Sequence, residues 1–156
     1  MADTLHILDL LGPSAVVFDL KATTKKAALE ELVQALHKDQ KITDMASVLE
    51  VLHEREKLGS TGIGQGIAIP HAKTDQAANV SAVFGLARKG IPFDSLDGEP
   101  VHLIFMLVSP TNAASDHLRA LARLSRMLKD KFFRQTLREA KDAAEVLHLI
   151  REEDRF

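Results

Sequence analysis

The run from Arg55 to His71, Arg-Glu-Lys-Leu-Gly-Ser-Thr-Gly-Ile-Gly-Gln-Gly-Ile-Ala-Ile-Pro-His, sets a guanidinium and an imidazole at the two ends of a glycine-rich stretch. A histidine side chain with an ordinary pKa of about 6.5 is mostly unprotonated at neutral pH, can attack phosphorus, and departs again readily. Pro70 fixes its own φ and biases Ile69 toward extended geometry, so His71 is presented at a defined place. Phosphoryl transfer asks for little beyond positioning and positive field around three equatorial oxygens. Arg55 supplies a cation able to bond two of them, and Lys73 a possible second charge. The backbone N–H groups of a loop spanning Ser60, Thr61, Gly62, Gly64 and Gly66 would complete an anion nest. On the residues alone, the competing reading is an exposed loop histidine beside a tight glycine turn.

Two nucleotide patterns fail. A Walker A loop needs Gly-Lys followed by Ser or Thr, which this stretch lacks, and a dinucleotide fingerprint needs a third glycine where Ile67 stands, with a strand before it rather than a helix. A second candidate histidine, His117, follows Ser115-Asp116 at a helix start and falls in line with Leu121, Leu124 and Leu128, so it is expected to face inward. The bland alternative for it is a satisfied histidine at the core edge. His71 and His117 without a third convincing ligand make an incomplete metal site, so neither metal nor cofactor is expected. His6, His37, His53, His102 and His148 are assigned no role.

The elements that must hold these groups alternate along the chain. Leu5 to Leu11 reads as a short helix or turn stopped by Gly12-Pro13, and Ala15 to Phe18 as a first strand. Thr24 caps a helix with Leu29, Leu32, Val33 and Leu36 on one face. A second helix starts near Thr43, carries Met45, Val48, Leu49 and Leu52 inward, and ends in the charged residues 53–57, which places Arg55 at its C-terminus facing the loop. Val80–Ala87 and Val101–Val108 are nearly continuous apolar runs, as in strands covered on both faces. Asp97-Gly98 marks a turn between them, with Pro92-Phe-Asp as a possible hairpin arm. Three helices follow, over Ser115–Lys129, Asp130–Ala140 and Asp142–Glu153. The expected fold is α/β: one domain over 1–156, with a mixed sheet of about four to five strands and helices on both faces.

Composition narrows the setting. The chain has 156 residues, 46% of them hydrophobic, enough for an independent core. It has no cysteine, which excludes disulfides and thiolate chemistry. Twenty basic residues against 22 acidic ones, well mixed, match a nucleic-acid backbone poorly. No apolar run approaches the ~20 residues of a membrane span, and Met1-Ala-Asp-Thr-Leu-His lacks a basic leader, so a soluble cytoplasmic protein is expected.

Three blocks, Arg55 to His71, Ile91 to Phe105, and His117-Leu-Arg-Ala-Leu-Ala-Arg-Leu-Ser125, resemble the fructose/mannitol-type enzyme IIA domains of the bacterial phosphoenolpyruvate phosphotransferase system, in particular the nitrogen-regulatory branch. The resemblance implies that His71 is phosphorylated on Nε2 by an HPr-like phosphocarrier, that Arg55 neutralises the phosphoryl oxygens, and that His117 orients the group. It implies a mixed sheet sandwiched between helices. It also implies a downstream partner: a regulated protein in the nitrogen-regulatory branch, or a IIB domain if the chain serves a sugar transporter. The regulatory role is the expectation, because the chain carries no IIB or membrane segment. An anion-binding module that is never phosphorylated is the alternative from another class. Ala72 departs from the glycine often found in the family after the histidine.

Overall fold

The computed structural model describes residues 5–155; Met1-Ala-Asp-Thr, read above for its lack of a basic leader, lies outside them. Six strands form one mixed sheet: β1 (Leu11–Val17), β2 (Gly62–Gly64), β3 (Ile67–Ala68), β4 (His71–Lys73), β5 (Ser81–Ile91) and β6 (Val101–Ser109). Their order is β1-β5-β6-β3-β2, with β4 also paired to β6. β5 and β6 are antiparallel, while β1 on β5 and β3 and β4 on β6 are parallel.

β6 explains why its sequence carries no polar alternation. Ile104, Met106 and Val108 enter one core and Leu103, Phe105 and Leu107 the other, because successive side chains point to opposite faces and both faces are covered. The first core lies under α1 (Lys25–Lys38) and α2 (Met45–Lys57), through Leu29, Leu32, Val33, Leu36, Val48 and Leu52. The second lies under α3 (Ala114–Met127), α4 (Lys131–Arg138) and α5 (Ala143–Glu153), through Leu124, Phe133, Leu137, Val146 and Ile150. Thr24, Asp44, Asp130 and Asp142 cap their helices by accepting from backbone N–H groups in the first turn.

The sheet differs from expectation in three places. It has six strands rather than four or five, because β2 and β4 are three residues long, too short for an alternation to register, while β3 falls on the strand-like Ile67-Ala-Ile. β1 starts at Leu11 and runs through Gly12-Pro13, where a break was expected. Its pairing with β5 slips between Leu11 and Val16, and β1 is an outer strand, so proline removes no ladder bond the sheet needs. No hairpin arm forms at Pro92: β5 continues to Ile91, and the chain then loops back to β6 with Phe93 buried.

Candidate functional site

β4 brings His71 to the margin of the sheet, alongside Leu107 of β6. Ala72 packs into the core under α1 and α2, so His71, one residue earlier, points toward the opposite side, where α3 lies. The imidazole is fixed at one nitrogen by its own chain: Nδ1 lies 2.9 Å from the carbonyl oxygen of Ile69, an acceptor only. Nδ1 therefore carries the hydrogen, and the lone pair sits on Nε2. That atom faces Arg55, whose Nε–H donates to it at 3.3 Å.

Arg55 reaches the ring from the last turn of α2. Its Nη1 also donates to the carbonyl oxygen of Gly59 at 2.9 Å, which holds the guanidinium against the point where the chain leaves the helix. His117 comes from the first turns of α3, is 3% exposed, and places its ring centroid 5.6 Å from that of His71. Its Nδ1 lies 2.6 Å from Oγ of Ser109, the last residue of β6. Ser109 is fully buried, and among the described residues His117 is its side chain's hydrogen-bond partner. A buried hydroxyl hydrogen is costly to leave without an acceptor, so Ser109 donates to Nδ1 and the hydrogen of His117 sits on Nε2.

Both imidazoles are held neutral. Burial is the main cause lowering the His71 pKa; the Ile69 hydrogen bond opposes the shift, and the charges of Arg55 and Lys73 add to it. Burial likewise brings His117 down to about 4, helped by His71 and Lys73. A depression of 530 Å³ opens over the pair, lined by Arg55, Lys73 and the apolar side chains of Val51, Leu58, Leu118 and Leu121.

Thus His71, Arg55 and His117 converge, with Lys73 on the rim. The expected glycine cradle does not join them. The stretch folds as a hairpin of β2 and β3, and Ile67 pairs with Leu103, four residues before the Leu107 beside His71. At about 3.3 Å per residue, the Gly64 and Gly66 end of that hairpin lies about 13 Å or more from the imidazole. Three N–H groups of the stretch are also committed elsewhere: Thr61 to Glu56, Gly62 to Ser60, and Gln65 to Asp97. The glycines serve packing and turning: a side chain on Gly62 would strike Ser95, and Gly64 and Gly66 flank the turn with φ of 98° and 79°. Ser60 instead donates to the carbonyl oxygen of Phe93.

Two residues of the site were not singled out from sequence. Glu56 accepts from the N–H and hydroxyl of Thr61 and pairs with Lys25 at 2.8 Å. Thr61 in turn accepts at its carbonyl from the N–H of Ile69, so Glu56 secures the strand segment that presents His71. Ser109 lies one residue past the apolar run Val101–Val108 and carried no motif that marked it. Among the described residues, no cluster of three or more His, Cys, Asp or Glu side chains could hold a metal ion, and no helix is long and apolar enough to cross a membrane.

Comparison with known proteins gives a consistent set of relatives. The family model for the phosphoenolpyruvate-dependent sugar phosphotransferase system, EIIA 2, matches residues 9–153. A nitrogen regulatory protein of Bradyrhizobium diazoefficiens is 40% identical over 148 residues, covering 94% of this chain and 95% of that protein. The fructose-specific EIIABC component of Bacillus subtilis is 36% identical over 151 residues, covering 97% of this chain but 24% of that larger protein. The crystal structure of the nitrogen regulatory protein IIA-Ntr from Neisseria meningitidis superposes with a TM-score of 0.86 at 38% identity, covering 92% of this chain and 98% of the other.

Proposed function

Because the chain belongs to the EIIA 2 family of phosphoenolpyruvate-dependent sugar phosphotransferase systems, we propose that His71 is its phosphoryl acceptor, charged by an HPr-like phosphocarrier in the cytoplasm. The observation that carries the reading is the Nε2 lone pair of His71, defined by the Ile69 carbonyl on the other nitrogen and facing the Arg55 guanidinium. As the bond between phosphorus and the donor's histidine breaks, the bond to Nε2 forms. Arg55 shifts its N–H from the lone pair to a phosphoryl oxygen, and Nε2–H of His117 donates to another. The hydrogen on Nδ1 stays bonded to Ile69. The adduct is then a phosphoimidazolium, whose positive ring favours onward departure of the group.

A protein donor suits the surroundings. Leu58 and Leu118, from helices on opposite faces of the sheet, are 85% and 66% exposed beside the depression, an apolar rim that a partner's surface can cover. The role downstream is regulatory: the nitrogen regulatory relative aligns over nearly its whole length. The match to one quarter of a fructose-specific EIIABC component favours a second reading, delivery to a IIB domain of a sugar transporter.

Incubation with phosphoenolpyruvate, enzyme I and the HPr-type carrier should add one phosphoryl group by intact mass, acid-labile and alkali-stable, and His71→Ala should abolish it. An unmodified wild type would leave an anion-binding module as the reading. An undiminished adduct on His71→Ala would move the acceptor elsewhere. Affinity capture with phosphorylated and unphosphorylated protein separates the two downstream roles by whether a IIB domain or another protein is retained in a phosphorylation-dependent way.

A further inference from the structure

At the end of the sheet remote from His71, a cleft of 670 Å³ opens between the tip of the glycine hairpin, the second half of β5, the start of β6 and α4. Four cations line it, Arg88, Lys131, Arg134 and Arg138, against the single carboxylate of Glu139. This concentration stands in a chain whose net charge is -2. Among the described residues, none of the four forms an ion pair, whereas Lys21, Lys25, Lys57, Arg123 and Arg155 each do.

Two of the guanidinium groups are fixed before any ligand arrives. Arg88 donates from Nη2 to the carbonyl oxygen of Ala140 at 2.8 Å and lies over the ring of Phe18 at 4.6 Å. Arg134 donates from Nη1 to the carbonyl oxygens of Leu128 and Lys129 at 2.8 and 3.0 Å. A guanidinium has five N–H donors, so each keeps others to offer. Lys131, Arg134 and Arg138 recur at i, i+3 and i+7 along one side of an eight-residue helix. Like charges so spaced repel and destabilise the helix, and a bound anion would relieve that repulsion.

The geometry points to this cleft as a binding site for an oligophosphate, an anion carrying two or three linked phosphates, distinct from the phosphoryl site at His71 and independent of the role given to that histidine. Forked guanidinium groups suit phosphate oxygens, and a ligand of three or four negative charges matches four cations where one phosphate would leave most of them unpartnered. The volume accommodates a chain of phosphates with or without a nucleoside attached. His102 of β6 also lines the cleft, five residues before Leu107 beside His71, which separates the two sites by about 16 Å along the strand.

Calorimetric titration of the full-length protein at near-physiological salt, with sodium triphosphate, ATP and orthophosphate in separate arms, tests the assignment. Triphosphate and ATP should each bind at one site at least tenfold more tightly than orthophosphate. Tighter binding of ATP than of triphosphate identifies a nucleotide as the source, and equal affinities an inorganic chain; either supports the site. Arg138→Ala and Lys131→Ala, both of exposed side chains, should each weaken binding several-fold and leave His71 phosphorylation unchanged, whereas His71→Ala should leave triphosphate binding unchanged. The proposal is overturned by dissociation constants above about 1 mM for both oligophosphates, by affinities indifferent to Arg138→Ala and Lys131→Ala, by loss of binding in His71→Ala, or by an acidic peptide or oligonucleotide that outcompetes both.

Discussion

Burying two neutral imidazoles in one depression makes this protein's stability depend on pH in a way that can be worked out for His117. Its folded pKa is about 4, lowered first by burial, against 6.5 for an unperturbed histidine. Above pH 6.5 neither the folded nor the unfolded form binds the proton, and the group contributes no pH dependence. As pH falls below 6.5 the unfolded chain takes up a proton that the folded chain refuses, so stability declines until the folded form also titrates near pH 4. The full loss is about 3 kcal/mol, and about 2 kcal/mol of it is already present at pH 5. His71, also lowered, acts in the same direction. Glu153 acts in the opposite direction: burial and Asp130 raise it to about 7, so the folded form binds its proton first and gains stability as pH falls from 7 toward 4.5. The quantity to read is therefore the difference between wild type and His117→Asn, taken from urea unfolding at pH 7.5, 6.5, 5.5 and 5.0 (roughly spanning the upper limb of the window). The wild type should lose about 2 kcal/mol relative to the variant between the first and last of these. Parallel curves would refute the reasoning, because they would mean that folded His117 takes its proton as easily as unfolded His117 does.

Arg55→Ala should slow phosphoryl transfer by about 10²- to 10³-fold in rapid-quench assays, the range seen on removing one preorganised donor, while changing urea stability by no more than about 1 kcal/mol. Wild-type transfer rates with a collapsed fold would make Arg55 a structural residue. Ser109→Ala should slow transfer less than His117→Ala, because the imidazole remains but its tautomer is no longer imposed, and Ser109→Thr should restore most of the rate. Nitrogen NMR should show the His117 tautomer mixed in the alanine variant and single in the wild type. Glu56→Ala removes the buried partner of Lys25 and the acceptor for both polar groups of Thr61, and should cost about 3 kcal/mol in urea unfolding; a loss below about 0.5 kcal/mol would show that the presenting segment does not depend on it.

Long, strongly patterned segments were legible in the sequence. The apolar runs of β5 and β6 announced strands buried on both faces, the helical patterns located α1 to α5 with Thr24 as the cap of α1, and Pro70 singled out His71. What the sequence withheld depends on contacts distant along the chain or on very short elements. β4 has three residues, so nothing in its pattern announced that His71 begins a strand. The glycines suggested a cradle because composition reports only that unusual backbone is required; the hairpin register that carries Gly64 and Gly66 away from His71 is set by pairing with β6, more than thirty residues on. Ser109 acquires meaning only once α3 folds back over β6, and the basic cleft only once α4 lies across residues 65, 88 and 102. Gly12-Pro13 misled for a related reason: punctuation that ends a strand in the middle of a sheet is tolerated on an outer one.

The bond from Nδ1 of His71 to the carbonyl of Ile69 also sets a stereochemical limit. An imidazole can form two phosphorylated regioisomers, and here one nitrogen is tethered to the chain that bears it. Any group the ring accepts and returns must enter and leave along the same nitrogen's axis, toward Arg55, so forward and reverse transfer share one trajectory. A reagent or antibody that discriminates between the two regioisomers should therefore meet a single species.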